Sequence, residues 1–492
     1  MKSSSPISSR ILEIPARQLA RMIAQRSVSA REVMQAFWAQ IECLNPQYNA
    51  IVSLVEHSEA LAMADAADAA VARGDALGPL HGLPQAIKDT AVTKGMLSTF
   101  GSPLFAKNMP SFDGTMAARM RAAGAIFIGK TNVPEFGLGS HTYNPVFGPT
   151  RNAWNPARSA GGSSGGSAVA LALRLLPVAD GADMGGSLRN PAAFNNVLGF
   201  RPSQGRVPLW PRKEAYLAQL VTEGPMARNA DDLALLLAVQ AGYDNRVPLS
   251  SPAATLDWGP ELDAKLQGRR IGWLGNLGGH LAVEPPILQL CEQALKAFVD
   301  AGLGVEAIHP GFDWNRVWRS FVVLRQLGIG INQQAAYDNP ETRVLMKPEL
   351  QWEVQQGRQL SVVDVQTALM DRTAWYDFLL GLFEQYDYLA LPTAQVFPFP
   401  VEWAWPEQIQ GRQMDSYHRW MEVVTPGTLS GCPVVSIPVG FSDEGLPMGM
   451  QLIGRPQGDL SVLQATRLYE QITPWLDMQP PAVQQAAAQV AV

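Results

Sequence analysis

The chain has 492 residues, 47% of them hydrophobic and 17% charged, with a formal net charge of −6. That much apolar material can bury a large core and excludes a disordered chain. The acidic balance, with no long basic run, argues against nucleic acid as the main partner.

The first residues, MKSSSPISSR, contain no apolar h-region, so no secretory signal is expected. No apolar run reaches about 18 residues, so no transmembrane helix is expected and the default is a soluble cytoplasmic protein. Leu19, Met22 and Ile23 fall at helical spacing within 14–26. Ser29 with Glu32 forms a capping-box pattern for a second helix, with Val33, Phe37 and Ile41 on one face and Asn45-Pro46 as its stop. Cys43, Cys291 and Cys432 are too far apart for a metal spacing or a disulfide framework. They read as small buried hydrophobes in a reducing compartment. The alanine-rich stretch 58–73 predicts a helix ending at Gly74.

Residues 81–89 then read as a turn feeding a short apolar strand that ends in Lys88 beside Asp89. A buried lysine has its pKa lowered toward neutrality and can serve as a general base. A helix over 114–123 and a strand over 125–128 lead to a second strand-end lysine, Lys130, which competes with Lys88 on local grounds. The loop 137–150 carries His141, Tyr143 and Asn144 and reads either as pocket lining or as a connector.

Residues 161–191 organise the chain. The glycine-serine turn Gly161 to Ser167 precedes an apolar run over 168–176 and a strand-like piece over 177–180, and a second glycine-serine turn follows at Gly185-Gly186-Ser187. Turns so rich in glycine expose backbone N–H groups that can converge on a developing oxyanion, and their serines are candidate nucleophiles or relays. These residues point to serine-based acyl transfer without saying which serine acts. A phosphate-binding loop fails because Gly166 is followed by Ser167 where a lysine is needed. Gly161 to Gly165 matches G-x-S-x-G, but the polar, proline-containing residues before it supply no strand for a nucleophile elbow. None of His280, His309 and His418 stands in a context that marks a triad base.

Downstream, 199–208 reads as a connector, Asn229 as the N-cap of a helix over 230–240, and 247–262 as a linker. Strands are expected at 270–274, 305–308, 388–391, 434–439 and 448–453. Helices are expected at 287–301, from a Ser361/Asp364 cap to 383, and at 460–470, with a frayed tail from 481. Strands alternating with helices indicate an α/β architecture. The tryptophans between 310 and 420, Trp314 and Trp318 among them, read as core residues that together contribute to an apolar pocket.

At this point the sequence resembles the amidase signature family. The likeness runs over about residues 10–475 and rests on GLPQAIKD at 82–89, GKTNVPEF at 129–136, GPTRNAWNPARSAGGSSGGSA at 148–168, GADMGGSLRNPAAFNNVLGFRPSQGRVP at 181–208, EGPMARNADDLALLL at 223–237 and the LSGCPVVSIPVGF block from 429. The resemblance implies a single amidase domain over 1–492, with a mixed central sheet covered by helices on both faces. It implies Lys88 as general base, Ser163 as a relay after a cis Gly162–Ser163 peptide, and Ser187 as nucleophile. It also implies an oxyanion hole from the N–H groups of Met184, Gly185, Gly186 and Ser187, braced by Asp183 and Arg189. Lys130 falls outside this triad. Tyr143, Asn190, Trp314 and Trp318 are carried as substrate-binding candidates, and uncharged Asn190 leaves no local cation for a substrate carboxylate.

The expected activity is hydrolysis of an amide, apolar or aryl, with esters and carbamates as further substrates. The expected partner is a small-molecule amide, with no cofactor, metal, nucleic acid or membrane, and a homodimer is left open. The glutaminase component of a tRNA-dependent amidotransferase is the alternative, and a non-catalytic scaffold the contrasting class.

Overall fold

The computed structural model describes residues 11–217, 219–252 and 258–490. Thirteen strands run in chain order: β1 (Ile51–Val52), β2 (Pro84–Lys88), β3 (Ile126–Thr131), β4 (Ala179–Asp183), β5 (Leu198–Arg201), β6 (Thr222–Ala227), β7 (Arg270–Trp273), β8 (Gly304–Ala307), β9 (Tyr388–Pro392), β10 (Gln408–Ile409), β11 (Arg412–Gln413), β12 (Val434–Phe441) and β13 (Pro447–Gly454). The main sheet is ordered β4-β6-β5-β12-β13-β9-β7-β8. It is antiparallel from β4 to β9 and parallel from β9 through β7 to β8, hence mixed. A second sheet, ordered β1-β3-β2, holds Lys88 at the end of β2. The two sheets are stitched at the site, where the Lys88 backbone N–H donates to the Asp180 carboxylate on β4 (3.0 and 3.3 Å).

The α/β reading holds. Local signals act where they are expected: the Ser29/Glu32 box caps Ala30–Tyr48, Asn229 caps Ala230–Gln240, and Ser361/Asp364 caps Val362–Phe383. Gly74, at φ +77°, closes His57–Arg73. Among the described residues, no helix is long and apolar enough to cross a membrane.

Several expectations are corrected. Asn45-Pro46 does not stop its helix, which runs to Tyr48 and closes on left-handed Asn49, whose N–H donates to the Asn45 carbonyl (2.8 Å). The connector at 199–208 begins as strand β5, because Leu198 and Phe200 bury against the main core between β6 and β12. Of the linker at 247–262, residues 253–257 lie outside the described residues, and 259–261 form a short 3-10 turn. The alanine-rich tail is a helix, Pro481–Val490, docked through buried Val483. The helices Trp314–Asp338 and Pro348–Gln359, which the pattern does not predict, fill the tryptophan-rich region.

Two large apolar clusters build most of the interior, with a smaller third one around Leu138, Ile329 and Leu350, and the segment after Ser187 joins the two large ones. Ala192 packs into the cluster around β2 and β3, while Ala193 and Phe194 pack into the cluster around β12 and β13. The helix Gly165–Ala172 is buried along its whole length. A Cβ at Gly166 would lie 2.3 Å from the Asn132 backbone nitrogen and 2.5 Å from the Ala50 carbonyl oxygen, so only glycine lets this helix sit so close to β3. The first glycine-serine turn is thereby pressed against the lysine-bearing sheet.

Candidate active site

Lys88 is 1% exposed. Its Nζ lies 2.8 Å from Ser163 Oγ, 2.8 Å from Ser164 Oγ and 3.2 Å from the Ala182 carbonyl oxygen. A neutral amine has two N–H donors and one lone pair. The carbonyl must accept one N–H and the Ser164 oxygen can accept the other, which leaves the lone pair for the Ser163 hydroxyl proton. Burial pulls Lys88 down to about 7, against the opposing charges of Asp180, Asp183 and Glu223. The Gly162–Ser163 peptide is cis.

The rival lysine is placed elsewhere. Lys130 Nζ donates to the Ala91 carbonyl (2.7 Å) and to Thr93 Oγ1 (2.8 Å), and touches neither turn. Burial lowers it to about 8, with Asp89 opposing. It ties the β2–β3 sheet to the chain after Lys88.

The second turn is held from below. Arg189 Nη2 and Nε donate to Asp183 Oδ1 and Oδ2 at 2.9 and 3.0 Å, and Arg201 Nη1 lies 3.3 Å from Oδ1 while also bonding the Asp183 carbonyl. Burial alone would raise the Asp183 pKa, but Arg189 first and then Arg201 outweigh it and hold the carboxyl well below the usual range. The same carboxylate accepts the Gly186 N–H (3.0 Å) and the Leu188 N–H (3.2 Å). Gly186 thus departs from its expected role: its N–H is committed to the brace, and its left-handed backbone, at φ +88°, shapes the turn. The N–H groups of Met184, Gly185 and Ser187 hold no acceptor among the described residues and remain for an oxyanion.

Because Asp183 is the counter-charge of two buried guanidiniums, Asp183→Asn is expected to destabilise the fold by about 3–5 kcal/mol. Urea unfolding measures this; a loss below about 1 kcal/mol would mean the arginines find other acceptors.

The turns meet where the Ser164 N–H donates to the Ser187 carbonyl (3.2 Å). Ser187 is 7% exposed, and its hydroxyl holds no hydrogen bond among the described residues. The Lys88–Ser163 leg is therefore formed in the substrate-free molecule and the Ser163–Ser187 leg is not. Catalytic hydrogen bonds commonly tighten only with substrate in place.

A cavity of about 500 Å³ opens beside Met184, walled by Phe100, Phe105, Phe136, Leu138 and Leu324. Next to Phe136, Gly137 lies against the relay: a Cβ there would be 3.3 Å from Ser163 Oγ. A larger groove, about 710 Å³ between Glu284, Phe399 and Trp403, has no residue of either serine turn in its lining; the smaller cavity is not lined by Lys88 or the serines either, and meets the site through Met184.

Of the substrate-binding candidates, Trp314 is a core residue, stacked edge-on against Phe312 and Trp375. Trp318 sits edge-on to His418 under the Arg419 guanidinium. Both lie in the first turns of Trp314–Asp338, whereas the cavity is reached further along by Leu324, Gly328 and Ile329. Tyr143 stands outside the cavity with its hydroxyl donating to Glu349 Oε1 (3.2 Å). Asn190 is buried under Gly186, and neither of its side-chain polar atoms has a partner. The apolar part of the cavity lining is therefore mainly phenylalanine and leucine, and no tryptophan lines it among the described residues.

Some participants have no distinguishing local signal. Ser164 is one of two adjacent serines in GGSSGGS, and only the geometry shows that both hydroxyls face Lys88. Arg325, from a region with no motif, donates to Glu353 Oε1 (2.7 Å) and Tyr417 (2.6 Å), with its third nitrogen 3.1 Å from Met184 Sδ. It thereby anchors the Met184 side chain at the cavity edge.

Comparison with known proteins places the chain in a family. The amidase family model matches residues 32–463. The chain is 32% identical over 480 residues to an acylamidase from Rhodococcus erythropolis, covering 95% of this chain and 97% of that one. It is 33% identical to the A component of the glutamyl-tRNA(Gln) amidotransferase of Thermosynechococcus vestitus, covering 94% and 98%. Its fold superposes on a bacterial aryl acylamidase of the amidase signature family with a TM-score of 0.88 at 30% identity, covering 94% of this chain and 98% of that one. The match across nearly the whole length, with a buried lysine on the first of two serine turns, makes this chain a member of the amidase signature family, an amide-hydrolysing enzyme.

Proposed function

We propose that the protein hydrolyses an aryl or otherwise apolar amide through an acyl-enzyme on Ser187. The observation that carries this reading is the Lys88 amine 2.8 Å from Ser163 Oγ, with the unclaimed N–H groups of Met184, Gly185 and Ser187 beside it. In the first step Ser187 Oγ attacks the carbonyl carbon as its proton passes to Ser163, whose own proton moves to the Lys88 lone pair. The carbonyl oxygen takes up negative charge under the backbone donors. As the tetrahedral adduct collapses, the C–N bond breaks and the departing nitrogen takes the proton back along the same path, leaving the acyl group on Ser187. Water then repeats the sequence and releases the carboxylate.

The aromatic preference rests on the pocket walls. Phe105 meets Phe100 and Phe136 edge-on, with centroids 5.3 and 5.8 Å away, so the three rings form a continuous aromatic wall against which a flat ring can pack. Similarity to an acylamidase and an aryl acylamidase supports the same class. Burying a ring there is worth about 1.5–3 kcal/mol, so kcat/KM for an anilide should exceed that for a small aliphatic amide by on the order of 10- to 100-fold. Equal rates on the two would remove the aromatic preference.

A second reading is favoured by the amidotransferase relatives: a glutaminase that acts within a complex. The purified chain, by itself, separates the two. Turnover of anilides without a partner supports the amidase. Turnover of glutamine alone, and only once partner chains have been supplied, supports the other. We read 1–492 as one catalytic unit working on a small molecule in the cytoplasm.

A further inference from the structure

The loop between β5 and β6 brings a cation to the cavity. Arg212 and Lys213 both line it, on the same wall as Met184, Leu220 and Val221. Arg212 is partly buried, yet its guanidinium has no hydrogen bond or ion pair among the described residues. Other buried arginines are treated differently: Arg189 and Arg201 share Asp183, Arg206 pairs with Asp459, and Arg325 with Glu353.

Glu214 and then Glu223 act on Arg212 through space, opposing the effect of burial, but neither forms an ion pair or hydrogen bond with it. The Glu214 carboxylate is turned to its own loop, where it accepts the N–H groups of Tyr216 and Leu217 at 2.7 and 3.0 Å. Glu223, on β6, is buried, its carboxylate has no hydrogen-bond donor among the described residues, and burial together with the Asp180 charge pushes it up to about 8. A partly buried guanidinium that lines an apolar cavity without a hydrogen bond or ion pair is open to a ligand, and planar carboxylates are the acceptors its geometry fits.

We infer that Arg212, with Lys213 beside it, recognises an anionic group on the substrate, so that the preferred amide carries a carboxylate on the part that enters the phenylalanine-walled cavity. This inference rests on the amidase reading above and names the substrate class within it. The phenylalanines hold the ring, and Arg212 holds the charged substituent beyond it.

The test compares matched pairs that differ only in charge: 4-acetamidobenzoate against its methyl ester, with the carboxylate on the amine part, and glutaryl anilide against pentanoyl anilide, with the carboxylate on the acyl part. In at least one pair the carboxylate member should have the higher kcat/KM, by about 10- to 100-fold, the range of a charge-assisted hydrogen bond. Arg212→Met should collapse that ratio toward one, and Arg212→Lys should retain part of it. The same pairs bound to the Ser187→Ala protein, followed by calorimetry, give the comparison without turnover.

No carboxylate preference in either pair, in rate or in binding, overturns the inference, as does a preference that survives Arg212→Met. Either result can stand beside Ser187-dependent turnover of the neutral anilide, which leaves the amidase reading intact. A Ser187→Ala protein that still hydrolyses the anilide defeats that reading instead, while the calorimetric ratio still judges Arg212.

Discussion

Replacing Ser187 by alanine is expected to lower kcat for an anilide by on the order of 10⁶-fold, with substrate affinity retained. The size follows from what is removed. In the proposed mechanism Ser187 supplies the only protein atom that bonds to the acyl carbon, and the Met184, Gly185 and Ser187 N–H groups that remain would stabilise an oxyanion only if something attacks. The binding cavity beside Met184 contains no part of the Ser187 hydroxyl, so affinity should survive. Adding Ser163→Ala to Ser187→Ala should cost almost nothing more, because residues on one proton path act as a unit. Steady-state kinetics check both statements. A Ser187→Ala protein within 100-fold of the parent would contradict the nucleophile assignment.

The second large effect concerns Lys88. As the base it must be uncharged, because an ammonium has no lone pair to accept a proton. With Lys88 pulled down to about 7 by burial, kcat/KM should rise tenfold per pH unit below about 7 and level off above it. The sign is that of a base: protonation at low pH removes activity. Asp180, whose carboxylate opposes that depression and is itself pushed up to about 6 by burial, provides a control. Asp180→Asn removes negative charge near the amine, so the acid limb should move to lower pH. Lys88→Ala should reduce the rate by about 10²- to 10⁴-fold and abolish this limb. Ser163→Ala should fall between mild and severe loss, since it removes the relay and leaves the base. Full activity in Lys88→Ala at neutral pH would overturn the base assignment.

Much of this arrangement is legible in the chain because its signals are local. A capping box needs only Ser29 and Glu32, and a left-handed terminator only Gly74. The order of strands and helices follows from such marks, and the mixed α/β architecture with it. The candidate catalytic stretch is legible for another reason: two glycine-serine turns, their serines 24 residues apart, with a lysine-ended strand upstream, carry the resemblance to the family. Choosing Lys88 over Lys130 is beyond local reading, since both end strands and both are buried. Only the packing separates them, by aiming one at Ser163 and Ser164 and the other at Ala91 and Thr93.

The misreadings share a cause, contacts distant in sequence. Pro46 looks like a stop, but the helix needs only one more turn and closes at Asn49. The tail composition looks frayed until Val483 finds a core built from the other end of the chain. The tryptophans look like pocket walls, yet the sides of their helices that carry Trp314 and Trp375 face each other. The family resemblance implies Gly186 as an oxyanion donor, and nothing in the sequence reveals that Asp183 accepts its N–H.

The account turns on proton flow from Ser187 through Ser163 to an uncharged Lys88, with the acyl group left on Ser187. The most direct test is to mix the enzyme with an anilide, quench in acid before the steady state, digest, and locate the added acyl mass by tandem mass spectrometry. The prediction is one acyl group on Ser187, formed in the parent and absent in Lys88→Ala on the same timescale. An acyl group on Ser163 or Ser164, or hydrolysis in which no acylated peptide appears even though deacylation has been slowed, would contradict it.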